Sequence, residues 1–156
     1  MTEKYPIVTD VVPSQNTAMI LRNLLFSPDG ILTSHLSFMY QSWLNSVNDK
    51  AFGSYLKRVA DNDGAILDAL GNLTVAFGGD PNFRTTGRNW STQYLLLQRN
   101  RNQFLKSAMQ HQLKSIAEFD NAIGKVENES LKKLLTTIRD DKRNIVRDLN
   151  NFLQTK

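Results

Sequence analysis

The sequence predicts an all-α protein, a bundle of four long helices preceded by a short one. Three observations predict it. Apolar residues recur at steps of three and four through most of the chain, and glycine or proline separates these segments. No apolar run approaches the ~20 residues that a membrane span needs. A chain of 156 residues is long enough to bury a core, so we expect one domain, residues 1–156.

The first elements are an arm and a short helix. Residues 1–12 predict an extended arm, since they are rich in β-branched residues and contain a proline. The helical bundle is predicted from 13 to 153, and residues 13–25 form its short first helix. The Ser-Pro-Asp sequence at 27–29 predicts the next helix start, because serine caps and proline and aspartate suit a first turn. One face of that helix carries Thr33, Leu36, Tyr40, Trp43 and Val47.

The second long helix has the most regular pattern. Its apolar face alternates steps of four and three without interruption through Phe52, Leu56, Val59, Asp63, Ile66, Leu70, Leu73 and Phe77. This spacing favours the seam of a left-handed bundle. The Gly-Gly-Asp-Pro sequence at 78–81 ends the helix. A long polar connection follows at 79–93, and we expect Trp90 to attach it to the bundle.

Two further stripes predict the last helices. The third long helix carries Leu105, Met109, Gln112, Ile116, Phe119 and Ile123. The fourth carries Leu134, Ile138, Asp141, Ile145, Leu149 and Phe152. We expect no strand pairs. The long connection therefore lies between the second and third long helices.

Composition limits the function classes. Cysteine is absent, which excludes disulfides and thiolate sites and fits a reducing cytoplasm, and the first residues lack a signal-peptide pattern. The net charge is +4, but the basic residues are scattered without interleaved aromatics, so a solvated surface is preferred to a nucleic-acid or anion site. There are only four glutamates and two histidines. We expect His35 to be exposed and His111 to lie at the surface or in an interface.

Three segments resemble the ferritin-like superfamily. They are the run from Thr33 to Tyr40, the FGGDPNFR sequence that ends the second long helix, and IRDDKRNIVRDL in the fourth. The chain is most similar to small bacterial rubrerythrin-like and manganese-catalase-like proteins over about residues 13–153. The resemblance implies a ferritin-like four-helix bundle with a site for two iron or manganese ions. One glutamate from each of two helices and a Glu-x-x-His pair from each of the other two would hold them.

This chain departs from that ligand pattern at every position. Carried over residue by residue, the family's glutamates and Glu-x-x-His pairs fall on Thr33, Asp63, Ile66, Gln112, Asp141 and Asn144. No Glu-x-x-His sequence occurs in the chain. The two aspartates supply half of the carboxylates, and isoleucine cannot ligate. We therefore expect no resident cofactor or metal, and at most a single Ca²⁺ or Mg²⁺ ion held by oxygen ligands.

A buried hydrogen-bonded network is the preferred interpretation of these polar positions. Two aspartates close together would repel, so a proton or a cation from Arg139, Lys142 or Arg143 would have to compensate. The favoured function is non-enzymatic: a structural or interaction protein, expected to form a homo-oligomer or bind a protein partner. The candidates for a buried face or an oligomer surface are Phe38, Trp43, Tyr94 and Leu95-Leu96-Leu97. The alternative is a metal-dependent oxidoreductase that uses Asp63, Gln112, Asp141 and Asn144.

Overall fold

The computed structural model describes residues 5–155 and gives this part of the chain five α-helices. They are Gln15–Phe26 (α1), Ile31–Leu44 (α2), Lys50–Ala76 (α3), Arg101–Lys125 (α4) and Glu129–Gln154 (α5). The short α1 precedes the bundle of α2 to α5, as predicted. Of the predicted arm, residues 1–4 lie outside the described part, and residues 5–12 form no helix. None of the described helices is long and apolar enough to cross a membrane.

The turn between α1 and α2 differs from the prediction. The helix α2 begins at Ile31, not near Ser27, because the backbone N–H of Ser27 still closes α1 by donating to Asn23. Gly30 then precedes α2 without a side-chain cap. A Cβ atom on Gly30 would lie 2.7 Å from the backbone oxygen of Leu25, so the close approach of the two helices requires glycine here. The other starts follow the usual rule and are capped by Ser14, Asp49, Asn100 and Asn128.

The long connection between α3 and α4 contains a small hairpin. The expectation of no strand pairs is wrong, since Arg84–Thr85 (β1) and Arg88–Asn89 (β2) pair antiparallel. The turn between them uses Gly87 at φ +81°, which a residue with a side chain rarely adopts. Trp90 follows, half-buried, and its indole N–H donates to Thr33 Oγ1 at 3.0 Å. The predicted attachment of this connection through Trp90 is therefore confirmed.

The apolar core is divided into two clusters along the bundle. The first cluster gathers α1, the starts of α2 and α5 and the ends of α3 and α4 around Ile66, Leu70 and Phe119. The second lies at the opposite end, around Phe38, Phe52 and Phe104. Between them, each of the four long helices contributes buried polar side chains. We call Ser34, Asp63, Gln112 and Lys142 the central polar layer.

Candidate functional site

The central polar layer is closed to solvent. Ser34 and Gln112 have no exposed surface, and Asp63 and Lys142 are each 2% exposed. Each long helix supplies one of the four: α2 gives Ser34, α3 Asp63, α4 Gln112 and α5 Lys142. Apolar clusters cover both sides, so the four groups must satisfy one another. Aspartate and lysine are almost never fully buried unless they are paired.

A single chain of hydrogen bonds links the layer. The Lys142 ammonium donates to Gln112 Oε1 at 3.4 Å. The Gln112 amide donates to Ser34 Oγ at 3.3 Å, and the Ser34 hydroxyl donates to Asp63 Oδ2. Every donor points from Lys142 toward Asp63, which is the polarity expected for an ammonium at one end and a carboxylate at the other. The layer is therefore a charge pair relayed through two neutral side chains.

Burial acts against both charges. It raises the pKa of the Asp63 carboxyl, while the positive charge of Lys142 and the hydrogen bond from Ser34 oppose that shift. It likewise lowers the pKa of the Lys142 ammonium, and the negative charges of Asp63 and Glu118 oppose that shift. When folding raises the pKa of a carboxyl group, the group does not destabilise the folded protein below its unfolded-state pKa of about 3.9. The folded protein then loses stability as the pH rises from that value through the folded-state pKa. Because the positive charge of Lys142 opposes the rise in the pKa of Asp63, it lowers the free-energy cost of ionising Asp63 near neutral pH.

Lys142 has one further partner. Its Nζ atom lies 5.6 Å from the centre of the Phe119 ring, within the range of a cation–π interaction. Such a contact favours the charged amine at a site without solvent. The ring belongs to the first apolar cluster, so Lys142 lies where the polar layer meets that cluster.

The predicted site residues on the first three long helices lie inside the bundle. Thr33 is fully buried, but its hydroxyl accepts from Trp90 rather than from the layer. Asp63 and Gln112 belong to the layer as described above. Ile66 lies in the first apolar cluster, 3% exposed, where its branched side chain packs and cannot ligate. Two of the six positions therefore lie in the layer.

The predicted site residues on the fourth long helix are not brought to the layer. Asp141 is half-buried on its flank and accepts from the Tyr5 hydroxyl at 2.6 Å, while Asn62 donates to that hydroxyl at 2.9 Å. Asn144 is exposed and accepts from Arg147 at 3.2 Å. The inward orientation expected for these two positions is wrong. The residue after Asp141, Lys142, points inward instead.

The two histidines are also placed differently from the expectation. His35 is half-buried, with Nδ1 at 2.7 Å from the backbone oxygen of Ala60. His111 is 3% exposed, with Nδ1 at 3.2 Å from Asp29 Oδ1. The exposed position predicted for His35 and the surface or interface position predicted for His111 are therefore wrong. Across residues 5–155, no three histidine, cysteine, aspartate or glutamate side chains come together in a way that could hold a metal ion.

Two layer residues were missed by the sequence analysis as site positions. Ser34 directly follows Thr33, and a serine inside a helix carries no signal of its own. Lys142 was considered only as one of three possible counter-cations. Its signal was present in the spacing, since Ile138, Lys142 and Leu149 continue the inward stripe of α5 by steps of four and seven.

Known proteins are similar to this chain in structure. No family model and no curated protein sequence matches it. The manganese catalase KatB from Anabaena PCC7120 superposes with a TM-score of 0.84 and 17% identity, covering 94% of this chain and 75% of KatB. The bacterioferritin of Desulfovibrio desulfuricans, which has a diiron site, gives a TM-score of 0.71 and 11% identity, covering 88% of this chain and 78% of that one. The chain therefore has the ferritin-like four-helix-bundle fold.

Proposed function

We propose that this protein is a non-catalytic member of the ferritin-like fold that has lost its dimetal site and has a structural or protein-interaction role. One observation carries the proposal: the side-chain amine of Lys142 lies buried in the polar layer between the two apolar clusters. In the ferritin-like pattern this part of the bundle holds carboxylates around two cations. Here the cation belongs to the chain itself.

The donor groups of the layer do not fit a pair of divalent ions. The layer offers one carboxylate, one amide oxygen and one hydroxyl, together with an ammonium that has no lone pair. At an effective dielectric constant of about 20, which also serves for buried sites, two unit charges about 4 Å apart interact by about 4 kcal/mol, and a divalent ion next to an ammonium doubles that repulsion. The family site would offer four carboxylates in this place. Charge balance thus favours one lysine here over two metal ions.

The alternative function, a metal-dependent oxidoreductase, lacks ligands that point to one metal centre. It would need Asp63, Gln112, Asp141 and Asn144 around one centre. Asp141 is bonded to Tyr5 on the flank of the bundle, and Asn144 faces solvent beside Arg147. The same separation argues against a single Ca²⁺ or Mg²⁺ ion, which needs several oxygen ligands about 2.0–2.6 Å away.

The layer has a structural use that fits the proposal. Its hydrogen bonds connect side chains from α2, α3, α4 and α5, and they can form only when the four helices are in one register. Buried polar groups of this kind select one packing arrangement in some helical bundles, at a cost in stability. We propose that the layer fixes the register of the bundle.

The proposed interaction surface is centred on the end of α2. Trp43 is 63% exposed, and Val47 in the following turn is 79% exposed. Of the other candidates, Phe38 is fully buried and cannot contribute to this surface, and Leu97 is 48% exposed. Tryptophan is enriched at the centres of protein interfaces. We propose that Trp43 binds a second copy of this chain. The lack of cysteine favours the cytoplasm as the compartment of both copies.

Replacing Trp43 by serine is expected to shift the protein from a homo-oligomer to a monomer. The side chain is mostly exposed, so its loss changes the free energy of unfolding by no more than about 0.5 kcal/mol while removing an interface anchor. Sedimentation velocity at several concentrations measures the change. The matched control is Val75→Ser, which removes an apolar side chain of similar exposure (59%) from α3. A wild-type protein that sediments as a monomer throughout, or equal effects of both substitutions, contradicts this role of Trp43.

A further inference from the structure

A cleft outside the central polar layer has the size of a small-molecule site. It lies between α1 and the last turns of α4, and it is also lined by Thr85, Thr86 and Arg88 of the hairpin. Its volume is about 590 Å³, within the range of ligand sites. Met19, Ile20 and Leu24 form an apolar part of the wall on α1, and Met19 is 39% exposed. A ligand would therefore bring an apolar portion against α1.

The inner end of the cleft presents acceptors. Glu118 on α4 is half-buried, and its Oε1 atom accepts from the Ser27 hydroxyl at 2.9 Å. No basic group of residues 5–155 forms an ion pair with Glu118 within 4.0 Å. Asn23 on α1 also lines the cleft, and within the described residues its buried Oδ1 atom has no hydrogen-bond partner. The half-buried carboxylate of Glu118 can accept further donors from a ligand in the cleft.

Two acidic residues, Glu118 and Asp29, lie near this end of the cleft. Burial and the negative charge of Asp29 raise the pKa of Glu118, while Ser27 and the charge of Lys142 oppose that shift. Asp29 itself lies beside His111 at the start of α2. The basic residues that line the cleft, Arg88 and Lys125, are both exposed, so water and salt screen their charges more strongly. An ionised Glu118 carboxylate attracts a cation that enters the cleft.

We propose that this cleft binds a small organic cation, an alkylamine or alkylguanidine, with its charged head on Glu118 and its alkyl chain against Met19 and Leu24. The N–H groups of such a head donate to the Glu118 carboxylate. Two sources share this chemistry. One is a simple amine, and the other is a basic amino acid whose carboxylate would reach Arg88 or Lys125 at the mouth. The inference is independent of the proposed loss of the metal site, because none of these residues belongs to the central polar layer.

Calorimetric titration of the full-length protein with butylguanidinium, butylammonium and arginine tests the proposal. We expect at least one of them to bind with a Kd of about 1 mM or below. The Glu118→Gln variant keeps an acceptor for Ser27 but loses the charge, so binding is expected to weaken by about tenfold or more. The matched control is Glu127→Gln, an exposed glutamate just beyond the end of α4, which is expected to bind like wild type. The methyl resonance of Met19 gives a second readout that locates the ligand in the cleft.

The outcomes separate the sources and can overturn the proposal. If arginine binds more tightly than butylguanidinium and the Arg88→Gln/Lys125→Gln variant loses this difference, the ligand is a basic amino acid. If the two bind equally, the ligand is a simple organic cation. Absence of saturable binding up to about 10 mM overturns the proposal. Butyrate binding as tightly as the cations also overturns it. The same holds if Glu118→Gln binds the cations with wild-type affinity while circular dichroism shows that this variant is folded.

Discussion

The Lys142→Met variant is expected to lose about 3–5 kcal/mol of unfolding free energy at pH 7. Methionine retains most of the side-chain volume, so the loss comes chiefly from the charge. Without the ammonium, Asp63 is left buried and uncompensated, and Gln112 Oε1 loses its donor. Urea unfolding followed by circular dichroism measures the change. The control is Lys133→Met on the exposed face of the same helix, for which we expect a change within about 0.5 kcal/mol.

The pH dependence of this loss identifies its cause. Removing Lys142 raises the folded pKa of Asp63 further, because the positive charge that opposed the effect of burial is gone. An acid with a raised folded pKa destabilises the folded state only as the pH rises above its unfolded pKa, about 3.9. The deficit of Lys142→Met is therefore expected to be smaller near pH 4 than at pH 7. A deficit that is equal at both pH values would assign the loss to packing and contradict the charge-pair account.

A double variant tests the coupling within the layer. Asp63→Asn removes the carboxylate charge at nearly constant shape. In Lys142→Met/Asp63→Asn, neither charge remains in the core, so the combined loss is expected to be smaller than the sum of the single losses by about 0.5–3 kcal/mol. If the losses of unfolding free energy in the two single variants simply add, Lys142 and Asp63 do not stabilise each other through the hydrogen-bond chain.

The Trp90→Ala variant is expected to lose about 3 kcal/mol and to release the connection between α3 and α4. Trp90 packs against the first apolar cluster and donates to the buried Thr33 hydroxyl, so alanine leaves both a gap and an unpaired hydroxyl. Trypsin cleavage after Arg84 and Arg88 in the hairpin reports the release, and urea unfolding measures the stability. We expect cleavage at these sites to become faster than in wild type under native conditions.

The Trp90→Phe variant separates the two contributions. Phenylalanine retains an aromatic ring but has no N–H donor for Thr33, so about 1 kcal/mol of the loss is expected to remain, with little change in cleavage. If alanine at position 90 changes neither the stability nor the cleavage rate, Trp90 does not hold the connection to the bundle.

The helices could be predicted from the sequence because their burial pattern is local. The stripe from Phe52 to Phe77 specifies α3 almost completely, and the Gly-Gly-Asp-Pro sequence marks its end. The hairpin at 84–89 could not be predicted in this way. Strands of two residues are too short for an alternating pattern, and only Gly87 indicated a turn.

The candidate site was harder to predict because adjacent residues compete for one inward position. Steps of three and four from Ile138 lead to Asp141 and to Lys142, and both are compatible with a helical stripe. The structure places Lys142 inside, while Asp141 remains on the flank with Tyr5, which lies 136 residues earlier in the chain. Such a long-range partner has no local signature. The burial of His111 depends in the same way on its tertiary contact with Asp29.

The metal content of the purified protein tests most directly the claim that an internal lysine has taken the place of the metal ions. The protein is prepared without chelator, incubated with excess Mn²⁺ or Fe²⁺, passed through a desalting column and analysed by inductively coupled plasma mass spectrometry. Because the layer offers one carboxylate and an ammonium, we expect about a tenth of an ion per chain or less. Retention of about one or two manganese or iron ions per chain in wild type, lost in Asp63→Asn, would contradict the account.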